Sequence, residues 1–164
     1  MHPELAEALT VAARSNADVN DLMVAHLSTP EMLDAQTPGG GFTVAHQLAH
    51  MAYVQKFWLS KLNAGAAVDL PDLYDTTQQK AERDPVRIRA ALEQTSAAVL
   101  EAVITATDKG QLTQVSLAQF LIHMLIHDAH HRGQILLALK ANGFPLPDED
   151  AMWFPWNNES WPPQ

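Results

Sequence analysis

"LIHMLIHDAHHRGQI", residues 121–135, holds four of the chain's eight histidines inside an apolar run. His123, His127 and His131 recur at every fourth position among Leu121, Ile122, Met124, Leu125, Ile126 and Ile135. On a helix, residues four apart differ by about 40° in azimuth and about 6 Å along the axis. Measured from Phe120, His127 and His131 fall within about 20° on either side, together with Met124 and Ala138. His123 sits about 60° aside and His130 further, so neither has to share that direction. Asp128 points about 100° from His127 and is not a first-choice ligand.

A lone histidine on an apolar face is most often a satisfied core residue. Two on one face are harder to explain that way. Each ring needs partners for its nitrogens, since an unpaired buried polar group costs about 1–3 kcal/mol, and two charged rings would repel. A bound cation resolves both problems: each neutral imidazole gives a lone pair to the ion and an N–H to an acceptor behind it. The third ligand has to come from another helix. In "TVAHQLAHMAYVQKFW", residues 43–58, His50 shares a face with Val54 and Phe57 and is the best candidate; His46 lies a turn earlier and about 40° away. The expected metal ligands are therefore His50, His127 and His131. Three histidines leave a coordination position open, as in reactive zinc-type sites, whereas closed structural sites use four protein ligands. No H-E-x-x-H, G-x-S-x-G, P-loop or dinucleotide fingerprint occurs.

Working outward, four long segments read as helices. The first covers about Pro3 to Leu27, with "RSNADVN" weakening its middle and marking an expected break. The second covers about Thr43 to Leu62, after the stop signal "TPGGG" and with Thr43 as N-cap. The third opens at Asp84-Pro85, cap and first helical residue, and ends near "TDKG". The fourth opens at Ser116, which with Gln119 has capping-box spacing, and runs to Asn142; Gly143 and Pro145 close it. Strand signals are nearly absent. The expectation is an all-α four-helix bundle over about residues 3–142, within a single domain covering 1–164. Residues 63–84 are long for a helix connection and are expected to be functional or mobile, a lid carrying Asp72 and Tyr74 being one form of that. Residues 143–164 are a tail rich in Trp and Pro, expected to pack extended against the bundle.

Composition narrows the function. With 164 residues and 47% apolar content the chain can bury one good core. A net charge of −9 argues against nucleic acid and against an anionic membrane surface. The chain has no cysteine, so a metal must use His, Asp or Glu. No apolar run is long enough to span a bilayer, and the first residues do not read as a signal peptide. A soluble, cytoplasmic protein is the expectation. The fourth helix is apolar on nearly every side: Ile122, Leu125, Ile126, Ala129, Gly133 and Leu136 oppose the histidine face. Either the tail or a second copy should cover it, and a homodimer is expected.

"TVAHQLAHM" followed far downstream by "SLAQFLIHMLIHDAHHRGQI" resembles the DinB family of damage-inducible, metal-binding helical proteins, over most of residues 1–142. The "HDAHHRGQ" element is the more specific half. The resemblance implies a four-helix bundle, usually dimeric, holding zinc or nickel on three histidines. By position these are similar to His50, His127 and His131, the set also reached from helical geometry. His46, His123 and His130 match no ligand position and are read as rim or flanking residues. Gly133 is read as letting a helix approach closely, Arg132 as pairing with a carboxylate, and Gln134 as supporting the site from behind. The chain is also similar in fold and metal triad to mycothiol-dependent maleylpyruvate isomerase and to bacillithiol and mycothiol S-transferases. That likeness implies a low-molecular-weight thiol cosubstrate activated by the metal toward a small electrophile. Two other functions stay open: a hydrolase using metal-bound water, and a non-catalytic metal-binding stress-response protein.

Overall fold

The computed structural model describes residues 3–62, 64–109 and 117–155. It is all-α apart from one two-stranded hairpin. Four long helices, α1 (Pro3–His26), α3 (Val44–Leu62), α4 (Pro85–Lys109) and α5 (Leu117–Ala141), carry the core, and two short ones, α2 (Pro30–Asp34) and α6 (Glu149–Trp153), flank them. Both α1 and α3 pack against α4 and α5.

The expected helix boundaries rest on caps that are present. Thr43 Oγ1 accepts the backbone N–H of His46 at 3.2 Å, and Asp84 Oδ1 accepts that of Val86 at 2.9 Å. At the far end of α5, Gly143 takes φ +75° and Phe144 N–H reaches back to Leu139 O at 3.0 Å, which closes the last turn. The capping box expected at Ser116 lies outside the described residues.

Two expectations are corrected and one gains detail. Helix α1 does not break at "RSNADVN": Ser15, Asn16 and Asn20 are buried and face inward on a continuous helix. Those polar residues are partners for buried groups elsewhere and so do not interrupt the helix. The 63–84 connection is anchored and carries structure. Lys56 Nζ holds Leu70 O at 2.8 Å and Asp72 at 3.0 Å, and β1 (Tyr74–Asp75) pairs antiparallel with β2 (Lys80–Ala81). Asp75 Oδ1 accepts from Thr77 N and Gln78 N, which forms the turn. Strands of two residues leave no alternation to read. Finally, the tail is not simply extended. Asp148 caps α6, Met152 packs on the core, and Ser15 Oγ donates to Pro155 O at 2.8 Å. Trp156 and the residues after it lie outside the described residues.

Two apolar clusters fill the interior. One gathers Met23, Leu27, Leu48, Met51, Ile88, Leu92, Ile135 and Leu139; the other gathers Val54, Val99, Val103, Leu117, Phe120 and Met124. Buried polar residues lie between them in sequence order on three long helices, Asn16 and Asn20 on α1, Thr95 on α4, and Asp128 and His131 on α5, and α3 adds Gln47 and Gln55 from among its own cluster residues. A polar layer sandwiched in an apolar core is costly unless its members satisfy one another. The candidate site is built on this layer.

Candidate metal centre

His50 from α3 and His127 and His131 from α5 converge. Their ring centroids are 5.2 Å (His50–His127), 5.0 Å (His50–His131) and 4.4 Å (His127–His131) apart. One ring nitrogen from each lies within 4.8 Å of the others. His127 Nε2 and His131 Nε2 are 3.1 Å apart. Two nitrogens bound tetrahedrally at 2.0–2.1 Å from one ion would be about 3.3 Å apart, so the pair is spaced as two ligands would be.

The protonation pattern makes this spacing informative. His131 Nδ1 is hydrogen-bonded to Gln47 Oε1, an acceptor, so Nδ1 carries the proton and Nε2 presents a lone pair. His127 Nδ1 faces Asp128 Oδ1 at 3.6 Å, and both atoms are buried with no hydrogen-bond partner. If Nδ1 carries the proton there too, two lone pairs face each other at the Nε2 atoms. A cation between them turns this repulsion into binding, and a small rotation of His127 would complete its bond to Asp128. The residues present therefore fit a divalent ion.

Electrostatics favour the neutral ligand form. Burial pushes His131 down to about 4, with His127, His50 and His130 beside it acting in the same direction. Burial, then His127, also lowers His50.

Behind the rings lies a buried polar network. Asp128 is fully buried, and its Oδ2 accepts from Asn16 Nδ2 at 2.7 Å, Asn20 Nδ2 at 2.8 Å and Gln55 Nε2 at 3.0 Å. The oxygens of the same two asparagines accept from Arg132 Nη1, at 2.9 Å (Asn16) and 2.5 Å (Asn20). Arg132 thus meets its carboxylate through two amides, whereas the sequence reading had it pair directly. Its own pKa is lowered by burial, partly offset by Asp128. The acceptor behind His131 is Gln47, where Gln134 had been expected. A Cβ added to Gly133 would meet nothing within 4 Å, so among the described residues no helix crosses closely there.

The remaining histidines lie around the centre. His123 is exposed and tilts on Trp58 at 5.0 Å; exposed His130 sits edge-on to His131 at 5.1 Å. His46 lines a cleft of about 570 Å³ together with Phe42, His50, Tyr53, Asp72 and Tyr74. His50 therefore belongs to both the cluster and the cleft.

The DinB family model matches residues 5–162. The chain belongs to the DinB family. The match extends through most of the Trp-rich tail, beyond residue 142 where the motif resemblance ended. No curated protein and no solved structure matches this DinB-family chain. Among its described residues, no helix is long and apolar enough to cross a membrane.

Proposed function

We propose that this DinB-family protein holds one divalent cation, zinc or nickel, on His50, His127 and His131 and is a thiol-dependent S-transferase. The observation that carries the reading is the facing Nε2 pair of His127 and His131 with His50 beside it, two of the rings backed by Gln47 and Asp128. A divalent ion on three neutral imidazoles supplies a Lewis acid at which a small thiol favours its thiolate form.

The chain's own residues divide the remaining work. Gln47 and Asp128 orient the ligand rings. The cleft at His50 admits the electrophile and is walled by Phe42, Tyr53 and Tyr74. The absence of cysteine requires the thiol to come from outside. A water nucleophile benefits from a free carboxylate base. Of the acids at the site and its cleft, Asp128 gives Oδ2 to three amides and turns Oδ1 to His127 Nδ1, and Asp72 is ion-paired with Lys56 at 3.0 Å. That favours a thiol over water. The reaction needs a reduced thiol pool, which the cytoplasm maintains.

The same reading includes a homodimer. Ile122 and Ile126 are 53% and 66% exposed on α5 and fall on one stripe with Ala129 and Gly133. The described part of the tail reaches α5 around Ala129, Gly133 and Leu136 through Met152 and Trp153, and the two isoleucines stay exposed. A second copy would cover them, and the close approach that Gly133 permits would then be to the partner.

The direct test is conjugation of mycothiol, bacillithiol or a simpler thiol to a model electrophile by metal-loaded and chelated protein. Conjugation only in the loaded protein, abolished by His131→Ala, supports the assignment. Ester or amide cleavage without thiol would move it to a hydrolase, and neither reaction would leave a metal-binding protein.

A further inference from the structure

The cleft beside His50 contains a histidine for which the metal centre has no use. Thr43 Oγ1 accepts the backbone N–H of His46 and also lies 3.0 Å from its Nδ1. The hydroxyl can also donate its own proton to Nδ1, and that arrangement places the ring's proton on Nε2. Phe42 stacks on this imidazole at 5.7 Å and 15°, and Tyr74 approaches from the hairpin at 5.5 Å and 53°. Three neighbours thus hold the ring, while Nε2 makes no hydrogen bond to a described residue. The result is an imidazole edge held in the cleft.

The rest of the cleft restricts what that edge can meet. Phe42 and Tyr53 are 58% and 56% exposed, which leaves flat aromatic surface uncovered. Buried Ala49 beneath them keeps the floor low. Among the described residues no lysine or arginine lines the cleft, and its Asp72 carboxylate is paired with Lys56 at 3.0 Å. Away from His50, where a bound ion would carry its charge to the thiol, an anionic ligand would find no counter-charge. Stacking favours a planar π system, and a single oriented N–H favours one oxygen acceptor.

We propose that His46 carries its proton on Nε2 and that this cleft binds a neutral, planar, conjugated carbonyl compound, with its ring system against Phe42, Tyr53 and Tyr74 and its oxygen accepting from that Nε2–H. The role of such a compound as electrophile rests on the thiol-transferase reading, but its binding does not. As electrophile it would need a carbon–carbon double bond beside the carbonyl and would take the sulfur at its β-carbon. The π pair of that double bond would form the enol's new double bond, the carbonyl pair would move to the oxygen at His46, and the proton of the thiol would end on that oxygen, the enol then returning to the ketone, so no further reactant is required.

The test is calorimetric titration of the full chain with acetylnaphthalene and with ethylnaphthalene, its oxygen-free counterpart, in metal-loaded and metal-free protein without thiol. Wild type should prefer the ketone by about tenfold, one hydrogen bond's worth. The His46→Phe variant should bind both about equally. Equal binding by wild type, or a preference that survives in His46→Phe, would overturn the proposal. A measurement needing no variant is the imidazole nitrogen NMR spectrum of the wild type. Nε2 of His46 should be protonated and should shift when the ketone is added, and an unmoved signal overturns the proposal. Failure here beside intact metal-dependent conjugation would discard the ligand assignment and keep the function; ketone binding without conjugation would do the reverse.

Discussion

Asp128 and His127, adjacent in sequence, meet again in space: Oδ1 of one lies 3.6 Å from Nδ1 of the other, and each is buried without another partner. The imidazole thereby has two faces, Nδ1 toward the carboxylate and Nε2 toward His131 at 3.1 Å. A carboxylate behind a ligand imidazole fixes its tautomer and raises its basicity.

Replacing Asp128 by Asn should weaken divalent-metal binding by about 10–100-fold, read by competition with a chromophoric chelator. Replacing it by Ala should also destabilise the metal-free fold, by about 3–5 kcal/mol, because Arg132 would remain buried without its carboxylate. Urea unfolding measures that loss. Unchanged metal affinity in a folded Asp128→Asn protein would confine Asp128 to a structural role.

The metal-free protein should lose stability in acid. His131 is held down to about 4 and His50 is lowered too, in both cases chiefly by burial. A depressed folded-state pKa means that the unfolded chain binds the proton first as pH falls. The stability is therefore complete above the ordinary imidazole value near 6.5 and is lost as pH falls toward 4. Urea midpoints across that window should fall, and should fall less steeply in His131→Gln. An equal slope in the two proteins would contradict the assignment of the shift to His131.

Light scattering should give a particle twice the 18.0 kDa chain mass at micromolar concentration. Ile126→Lys, a charge on the open α5 stripe, should yield a monomer with unaltered helicity. A wild-type monomer would show that this stripe is simply solvated.

The four long helices and the histidine triad were legible because each rests on a local signal. Asp84-Pro85, Thr43 and Gly143 mark ends, and the spacing of His127 and His131 follows from helical pitch alone. The network behind the triad was not legible in the same way. Asn16 and Asn20 look like helix-weakening residues until Asp128 and Arg132 are seen across from them, 108 and 112 residues apart in sequence. Spacing four apart places both asparagines on one side of α1, and this was the only available hint. Asp128 was set aside on azimuth, a criterion that ignores the second nitrogen of an imidazole. Gln47 outcompeted Gln134 as the acceptor for His131 because α3 lies opposite the ring, which no pattern within α5 encodes. The β1–β2 hairpin is held by Lys56 and by burial of Leu73 and Ala81, contacts made only once α3 and α4 are in place.

The central claim is that His50, His127 and His131 together hold one ion, and elemental analysis of purified protein after dialysis tests it most directly. Wild type should carry about one divalent ion per chain. His50→Ala, His127→Ala and His131→Ala should each carry almost none, while His123→Ala, which alters a ring outside the triad, should remain loaded. Full occupancy in His127→Ala, or a metal-free wild type after growth with zinc and nickel, would contradict the claim.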